Sequence, residues 1–311
     1  MPNIAHLVKQ ANDYIEFGDL DKALKIGYKL KKSRYSGAFE IIARVYYAKE
    51  DIQQAVKILH EGVTVNPKDW LLWVQLGNYL SDLECYNDAD AAYKMAINSS
   101  NSDISQVELN MAVLYERMER FDEAIEICKN LLNTEKDPEI RFRTLLLVVN
   151  LHRDISLYDQ ALFYGNNAVS LLSNSHDFET SEISRLYSAL AYIVWQQKDK
   201  DLSLCYIRQA LLNNRLNEDA LWLLREITNL KSSHSKYFHL LIYGKQNSEE
   251  FFTNFGIIAD TPEEALYFAK EFEPNEFRKA FQIEKSQVLR SAKEELKGVY
   301  ESTGIVFFDS E

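Results

Sequence analysis

Residues 70–100 read WLLWVQLGNYLSDLECYNDADAAYKMAINSS and contain two runs with helical spacing. In the first run Trp73 is followed by Gly77, and in the second Ala89 is followed by Tyr93. Side chains four positions apart lie on one face of a helix, so each run places a bulky side chain beside a small one. Two antiparallel helices pack closely where a small residue faces the neighbouring backbone and a bulky one fills the adjacent space. The segment therefore predicts a pair of packed antiparallel helices.

The same frame recurs along the chain. The small residue that opens each second helix returns at intervals of 32, 34, 35, 37 and 42 residues, at Ala23, Ala55, Ala89, Ala124, Ala161 and Ser203. The small residue of each first helix falls at Ala11, Ala43, Gly77, Ala112, Val149 and Ala191. One such match is common by chance, whereas six matches in register indicate an internal repeat.

This frame resembles the tetratricopeptide repeat, whose pattern W-x2-L-G-x2-Y is followed by A-x3-F. Trp73, Leu76 and Gly77 match the first part, and Leu80 stands where the family has Tyr. The resemblance covers about Ile4 to Lys231 and implies a mostly α fold, an α-α superhelix of about six helix pairs. Such pairs stack because one pair alone cannot bury its apolar stripe.

Two domains are predicted, a helical solenoid over residues 1–231 and a small α+β domain over residues 236–311. Glu218–Lys231 is expected to be a capping helix, because an open last repeat would leave apolar surface in water. The second domain is expected to cap the solenoid, to offer a second binding surface, or to form a dimerisation edge that makes a homo-oligomer.

The second domain is expected to contain about four strands and two helices, since short aromatic and β-branched runs replace the helical frame. The strands are predicted at Tyr237–Tyr243, Phe251–Ala259, Phe277–Ile283 and Ile305–Phe308. The helices are predicted from Thr261 to near Pro274 and over Val288–Leu296. Phe277 and Phe281 would also suit one face of a helix, so the sequence leaves open whether Phe277–Ile283 is a strand or a helix.

The charge balance argues against two classes of partner. The chain of 311 residues has a formal net charge of -12, with 35 Lys and Arg against 47 Asp and Glu. Nucleic-acid binders and proteins that bind anionic membranes carry a basic patch, and no segment here is basic. We therefore expect neither nucleic acid nor a membrane as partner.

Cysteine use and the N-terminal sequence predict a cytoplasmic protein. The three cysteines, Cys85, Cys128 and Cys205, are widely spaced and form no disulfide framework or CxxC pair. The first residues pass directly into an amphipathic pattern without the basic and apolar regions of a signal peptide.

The sequence offers no motif for catalysis, metal binding or cofactor binding, so no catalytic residue, metal or cofactor is predicted. Cys128 stands where a second helix places a bulky apolar side chain, and nothing beside it would lower its pKa. An enzyme with its site in residues 236–311 stays an alternative, and His234, His239 and Glu284 would be its titratable groups.

In tetratricopeptide-repeat proteins the first helices line a concave groove that holds a peptide or a partner helix. Carried onto this sequence, the resemblance implies groove residues Asn12, Arg44, Tyr47, Asn78, Arg117, Asn150, Arg153, Tyr192 and Trp195. Amides offer a donor and an acceptor to peptide backbone. Arginines bind carboxylates bidentately, and Tyr and Trp are enriched at binding hot spots. A solvated helix face would also carry polar residues, and Trp195 would also suit packing against the next helix.

Three functions follow from these observations. The first is a non-catalytic scaffold or adaptor that binds a protein or peptide partner in the groove. The second is a regulator in which a peptide or ligand acts on the solenoid and, through it, on the C-terminal domain. The third is the enzyme described above.

Overall fold

A computed structural model describes residues 4–33, 35–99, 104–173, 178–246, 249–273 and 279–308. The first helices of successive pairs are α1 (Ile4–Glu16), α3 (Ala38–Ala48), α5 (Trp70–Asp82), α7 (Ile104–Arg117), α9 (Pro138–Asp154) and α11 (Thr180–Gln196), and α13 (Glu218–Thr228) follows the last pair. The second helices are α2 (Leu20–Lys32), α4 (Ile52–Val65), α6 (Tyr86–Ile97), α8 (Phe121–Thr134), α10 (Tyr158–Leu172) and α12 (Lys200–Asn213). The remaining elements are β1 (Lys236–Gln246), β2 (Glu249–Ala259), α14 (Pro262–Phe272), β3 (Gln282–Ser291), β4 (Gly298–Ser302) and β5 (Val306–Phe308).

The predicted fold class is confirmed, because paired helices are followed by a small antiparallel sheet. The chain divides into two compact units, residues 1–147 and 148–311. The predicted domain boundary between residues 231 and 236 stays a prediction.

The first unit is a stack of helix pairs held by buried small residues. The side chains of Ala11, Ala23, Ala55 and Ala89 have no exposed surface, as the repeat frame requires. Within this unit α1, α3, α5 and α7 each contact the second helix of their own pair, and α1, α3 and α5 also contact the next first helix. Among the described residues, successive second helices make no comparable contact. The first helices therefore form the tighter, inner side of this unit.

The turn inside each pair is built on one residue with left-handed backbone. This residue has φ of 78° at Gly18, 63° at Glu50, 60° at Glu84 and 57° at Glu119. Cys85, which follows Glu84, donates its backbone N–H to the carbonyl of Leu80 at 2.9 Å. Such a bond satisfies one of the carbonyls that a helix end leaves without a partner. The fold therefore requires left-handed backbone here, although glutamate adopts it at a cost.

The second unit joins its last helices to the sheet through one core. The sheet has the order β3-β1-β2-β4, with β5 pairing β2, and its described pairs are antiparallel. One face of the sheet buries Phe238 and Leu240 of β1 together with Phe255 of β2. The same core contains Leu221 of α13 and Ala265 of α14. The sheet thus covers the apolar side of α13.

Three strand predictions and one helix prediction for this sheet are confirmed. The predicted strands at Tyr237–Tyr243, Phe251–Ala259 and Ile305–Phe308 correspond to β1, β2 and β5. The predicted helix after Thr261 corresponds to α14, and the Thr261 side chain accepts a hydrogen bond from the Glu264 backbone N–H at 3.2 Å.

The helix predicted over Val288–Leu296 is wrong, because Val288–Ser291 belong to β3 and pair with β1. Val288 lies opposite Phe238, and this long-range pairing overrides the helical spacing of the local sequence. The strand predicted over Phe277–Ile283 is displaced, since β3 begins at Gln282, and Phe277 itself lies outside the described residues. β4 was not predicted. The described part of residues 236–311 therefore has five strands and one helix.

A buried ion pair fixes the loop between α12 and α13 to the end of α14. Arg215 in that loop binds both carboxylate oxygens of Glu273, whose side chain has 0% exposure. The Arg215 guanidinium also lies 5.9 Å from the ring centroid of Phe272. Removing one member of a buried pair costs more than replacing both by apolar residues, because the other charge stays desolvated.

Replacing Glu84 by Gly should raise the free energy of unfolding by about 0.5–1 kcal/mol, because glycine adopts left-handed backbone without steric cost. The control is Glu126→Gly in the exposed middle of α8, which should lower stability by about 1 kcal/mol. Urea denaturation followed by circular dichroism measures both changes. A loss of stability in both variants would contradict the role of the turn.

Replacing Arg215 by Met should lower the stability of the second unit by about 3 kcal/mol, since the buried carboxylate of Glu273 loses its cation. The double variant Arg215→Met/Glu273→Leu should regain most of that loss. Thermal denaturation of the two variants beside the unchanged chain makes the comparison. Equal destabilisation by both variants would show that packing, and not charge, holds this contact.

Candidate partner-binding surfaces

The first helices of the first unit present a row of polar and aromatic side chains. We call this row the inner surface and define it by Asn12, Arg44, Tyr47, Asn78, Ser81, Asp82, Asn110 and Arg117. These residues lie on α1, α3, α5 and α7, and they include five of the nine predicted groove residues. Hydrogen bonds connect each of these helices to the next, so the surface is ordered by its own side chains.

The bridge between α1 and α3 is an amide–guanidinium contact. Arg44 Nη1 donates a hydrogen bond to Asn12 Oδ1 at 2.9 Å, and the same nitrogen lies 3.9 Å from Glu40 Oε1. Burial raises the pKa of Glu40, although the nearby Arg44 opposes that rise. The contact holds the Arg44 guanidinium beside α1.

The bridge between α3 and α5 is formed by Tyr47. Its ring stacks on Tyr79 with 4.5 Å between centroids and 16° between planes, and its hydroxyl donates to Asp82 Oδ2 at 3.0 Å. The hydrogen bond to Asp82 raises the pKa of Tyr47, and burial raises the pKa of Tyr79 to about 12. Tyr47 is 41% exposed, so one side of this aromatic pair faces solvent.

Two bridges connect α5 to α7. Arg117 Nη1 donates to Ser81 Oγ and to Asp82 Oδ1, both at 3.0 Å. Asp82 therefore accepts from Tyr47 through one oxygen and from Arg117 through the other. Beside this site, Asn78 Oδ1 accepts from Asn110 Nδ2 at 3.3 Å. A cleft of about 200 Å³ lies between these bridges.

These contacts define what the inner surface can offer to a partner. The Arg117 side chain is 44% exposed, and it binds Ser81 and Asp82 through Nη1. Within the described residues, the Nδ2 group of Asn78 donates no hydrogen bond, and Asn78 is only half-buried. The surface thus presents donors for carbonyl and carboxylate oxygens beside an exposed tyrosine ring.

The second unit contains an open cleft of about 470 Å³, which we call the aromatic cleft. It is lined by Arg153, Asp154, Ser156, Tyr158, Ser188, Ala189, Tyr192, Asp219, Trp222 and Leu223. Arg153 and Tyr192, two predicted groove residues, are thus in one cleft. Arg153 is already paired, since its Nε lies 2.9 Å and its Nη2 2.8 Å from Asp154 Oδ1.

The other two predicted residues of this unit have different surroundings. Trp195 packs against the core, with its ring centroid 6.1 Å from Tyr192 and 6.3 Å from Trp222. This is the packing alternative that the sequence left open. Asn150 is half-buried on α9 and does not line the aromatic cleft. The binding role of all nine residues stays a prediction.

Sequence reasoning did not select Asn110, Asp219 or Trp222. Asn110 lies two positions before Ala112, outside the frame that the family resemblance supplied. Asp219 and Trp222 belong to α13, which was assigned to capping alone. Two features of the sequence could have identified them. Their spacing of three residues places both side chains on one face of α13, and α13 follows a second helix and so has the place of a first helix.

The residues proposed for an enzyme lie on three separate segments. His234 is in the loop before β1, His239 is in β1, and Glu284 is near the start of β3. The strand register places Gln287, and not Glu284, opposite His239. Within the described ranges, no group of three or more His, Cys, Asp or Glu side chains could hold a metal ion. None of the helices in those ranges has the length and apolarity needed to cross a bilayer.

The comparisons with known proteins agree with the repeat frame. Residues 3–141 match the family model of the ChAPs (Chs5p-Arf1p-binding proteins). No curated protein matches the chain.

Solved structures show the tetratricopeptide-type fold. The apo form of the quorum sensor NprR from B. thuringiensis is 13% identical with a TM-score of 0.59, covering 73% of this chain and 70% of that one. A tetratricopeptide repeat protein from Parabacteroides merdae ATCC 43184 is 14% identical with a TM-score of 0.57, covering 73% and 86%. The APC/C hetero-tetramer Cut9-Hcn1 is 15% identical with a TM-score of 0.56, covering 70% of this chain but only 42% of that chain. At these identities the similarity concerns the fold alone.

Cysteine labelling should separate packing from reactivity. Cys128 has no exposed surface and burial raises the pKa of its thiol to about 12, whereas Cys85 and Cys205 are exposed. Iodoacetamide at neutral pH should therefore label Cys85 and Cys205 in the folded chain, and Cys128 only after denaturation. Mass spectrometry counts the labels, and Cys85→Ser provides the control by losing one of them. Preferential labelling of Cys128 in the folded chain would indicate a reactive thiol.

Proposed function

We propose that this chain is a non-catalytic scaffold that binds a protein partner or an extended peptide along its first helices. The inner surface is the observation that carries the proposal. Its donors are held by hydrogen bonds before a partner arrives, so binding would not have to order them. An extended backbone supplies the carbonyl oxygens that Asn78 and Arg117 can bind.

The partner class is supported by the span of the family match. Residues 3–141 coincide closely with the first unit, which carries the inner surface. ChAPs are described as binding Chs5p and Arf1p. We take these two proteins as the candidate partners of the first unit. The free cysteines support the cytoplasm as the compartment.

A homo-oligomer formed through the sheet would use the outer edge of β3. Among the described strands, β3 pairs with β1 only, which leaves that edge open. The register of the pairing between β3 and β1 shifts twice, once between Tyr237 and Phe238 and once between Leu241 and Ile242 of β1. Such bulges disturb the regular row of backbone groups that a second strand needs. We therefore favour the helical surfaces over this edge as the site of association.

The regulator is the second candidate, and α13 is the observation that favours it. Trp222 of α13 lines the aromatic cleft, while Arg225 on the same helix donates to the backbone carbonyl of Val299 in β4 at 2.8 Å. A ligand in the cleft would therefore contact a helix that is bonded to the sheet.

Replacing Tyr47 and Arg117 together by Ser should weaken the binding of Chs5p or Arf1p at least about tenfold, the effect of losing an interface hot spot. Both side chains are exposed, so the variant should fold. Isothermal titration of the purified proteins measures the change.

The matched control is Tyr28→Ser/Lys129→Ser, which removes a tyrosine and a cation from the second helices α2 and α8. Its binding should equal that of the unchanged chain. Equal weakening by both variants would place the contact outside the inner surface. Failure of both proteins to bind the unchanged chain would remove them as partners.

A further inference from the structure

The aromatic cleft combines a carboxylate with aromatic rings at one place on α13. Asp219 and Trp222 are three residues apart, so their side chains share one face of that helix. Trp222 is 43% exposed although it is a large aromatic side chain. Tyr158 and Tyr192 add two further rings to the lining. The cleft therefore offers aromatic surface and negative charge to the same ligand group.

Hydrogen bonds at the start of α13 hold these side chains in position. Asn217 accepts from the Ala220 backbone N–H at 2.9 Å and donates to Ser184 Oγ at 2.8 Å. Ser184 in turn donates to the carbonyl of Ala210 at 2.8 Å. All three groups are buried, so the first turn of α13 is fixed to α11 and α12. Asp219 lies in that first turn.

The charges in the cleft are not equivalent. Arg153 and Asp154 pair with each other and contribute no net charge. The Asp219 carboxylate is exposed and makes no hydrogen bond or ion pair with any described residue. A neutral pair and one free carboxylate leave a cleft of net negative charge, which favours a cationic ligand group. An anionic ligand group would have to compete with Asp154 for Arg153.

We propose that the aromatic cleft binds an arginine side chain of an extended peptide. This inference rests on the scaffold function proposed above and specifies one residue type of its ligand. A planar guanidinium can stack on an indole ring and also bind a carboxylate through two donors. The compact and strongly hydrated ammonium group of lysine stacks less well. A cleft of about 470 Å³ has room for this side chain and for flanking backbone.

The test uses the full chain and four capped tripeptides with alanine on each side of Arg, citrulline, Lys or Glu. Citrulline has the shape of arginine without its charge and is the matched control. The indole N–H signal of Trp222 in a ¹H–¹⁵N correlation spectrum reports binding, and Trp222→Phe assigns that signal. The Arg peptide should bind about five- to tenfold more tightly than the citrulline peptide, and added salt should reduce the difference.

Asp219→Asn should abolish the preference for arginine over citrulline. Asp201→Asn is its control, because Asp201 is the exposed second residue of α12, as Asp219 is of α13, and lies outside the cleft. Equal binding of the Arg and citrulline peptides would overturn the proposal. Equal binding of the Arg and Lys peptides would overturn the assignment to guanidinium.

The same experiments separate this inference from the proposed function. Chs5p or Arf1p binding that depends on Tyr47 and Arg117, without any arginine effect, would defeat the cleft proposal and leave the scaffold. An arginine effect without binding of either protein would defeat those partners and leave a cleft that binds arginine.

Discussion

The close approach of α5 and α6 at Gly77 is the contact on which the inner surface depends. A Cβ atom at Gly77 would meet the ring of Tyr93 at 2.6 Å, so no larger residue fits unless the ring moves. The buried ring crosses to α5, where its hydroxyl donates to Asn78 Oδ1 at 2.7 Å. That bond and the one from Asn110 fix the amide, and the remaining Nδ2 group is left for other acceptors. Packing inside one helix pair thus determines what the surface presents.

The inner surface also shows why its residues could not be assigned as binding residues from sequence. The repeat frame placed Tyr47 and Arg117 on first helices, and the structure agrees. It did not reveal that both side chains bind the carboxylate of Asp82, because they come from two different repeats. A side chain that bridges two repeats stabilises the contact between them. Only those of its polar groups that are not used in the bridge can bind a partner. Binding must therefore be tested with substitutions at exposed positions.

The repeated helices could be predicted because their contacts are local. Ala89 and Tyr93 are four residues apart, and each helix pairs with its neighbour in sequence. The left-handed turn at Glu84 had no such signal, since among the four described turns of the first unit glycine occupies this position at Gly18 alone. Trp222 likewise had no signal for a place in a cleft, because its segment was predicted to be a capping helix.

β1, β2 and β5 could be predicted from short apolar runs of the sequence, whereas β3 and β4 could not be placed. β2 alternates between buried and half-buried positions before its buried end, and its pattern was recognised. β3 is exposed along nearly its whole length, so no alternation of apolar and polar residues marks it as a strand. Val288 and Leu289 instead fit the spacing of a helical face. Its pairing with β1 joins residues that lie between 39 (Tyr243 and Gln282) and 55 (Lys236 and Ser291) positions apart in the chain. Such pairing depends on the assembled fold and cannot be read from a short window.

The end of the repeat series explains why α13 can serve both the cleft and the core. As a first helix it packs on α11, but no second helix follows it. The sheet takes that place, since Leu223 and Ile227 share their core with Phe238. Lys297 joins this arrangement, because its backbone N–H donates to Leu230 after α13 and its ammonium binds Asp260 and Glu264. One side of α13 is therefore held by the sheet, and this support allows its other side to remain open to a ligand.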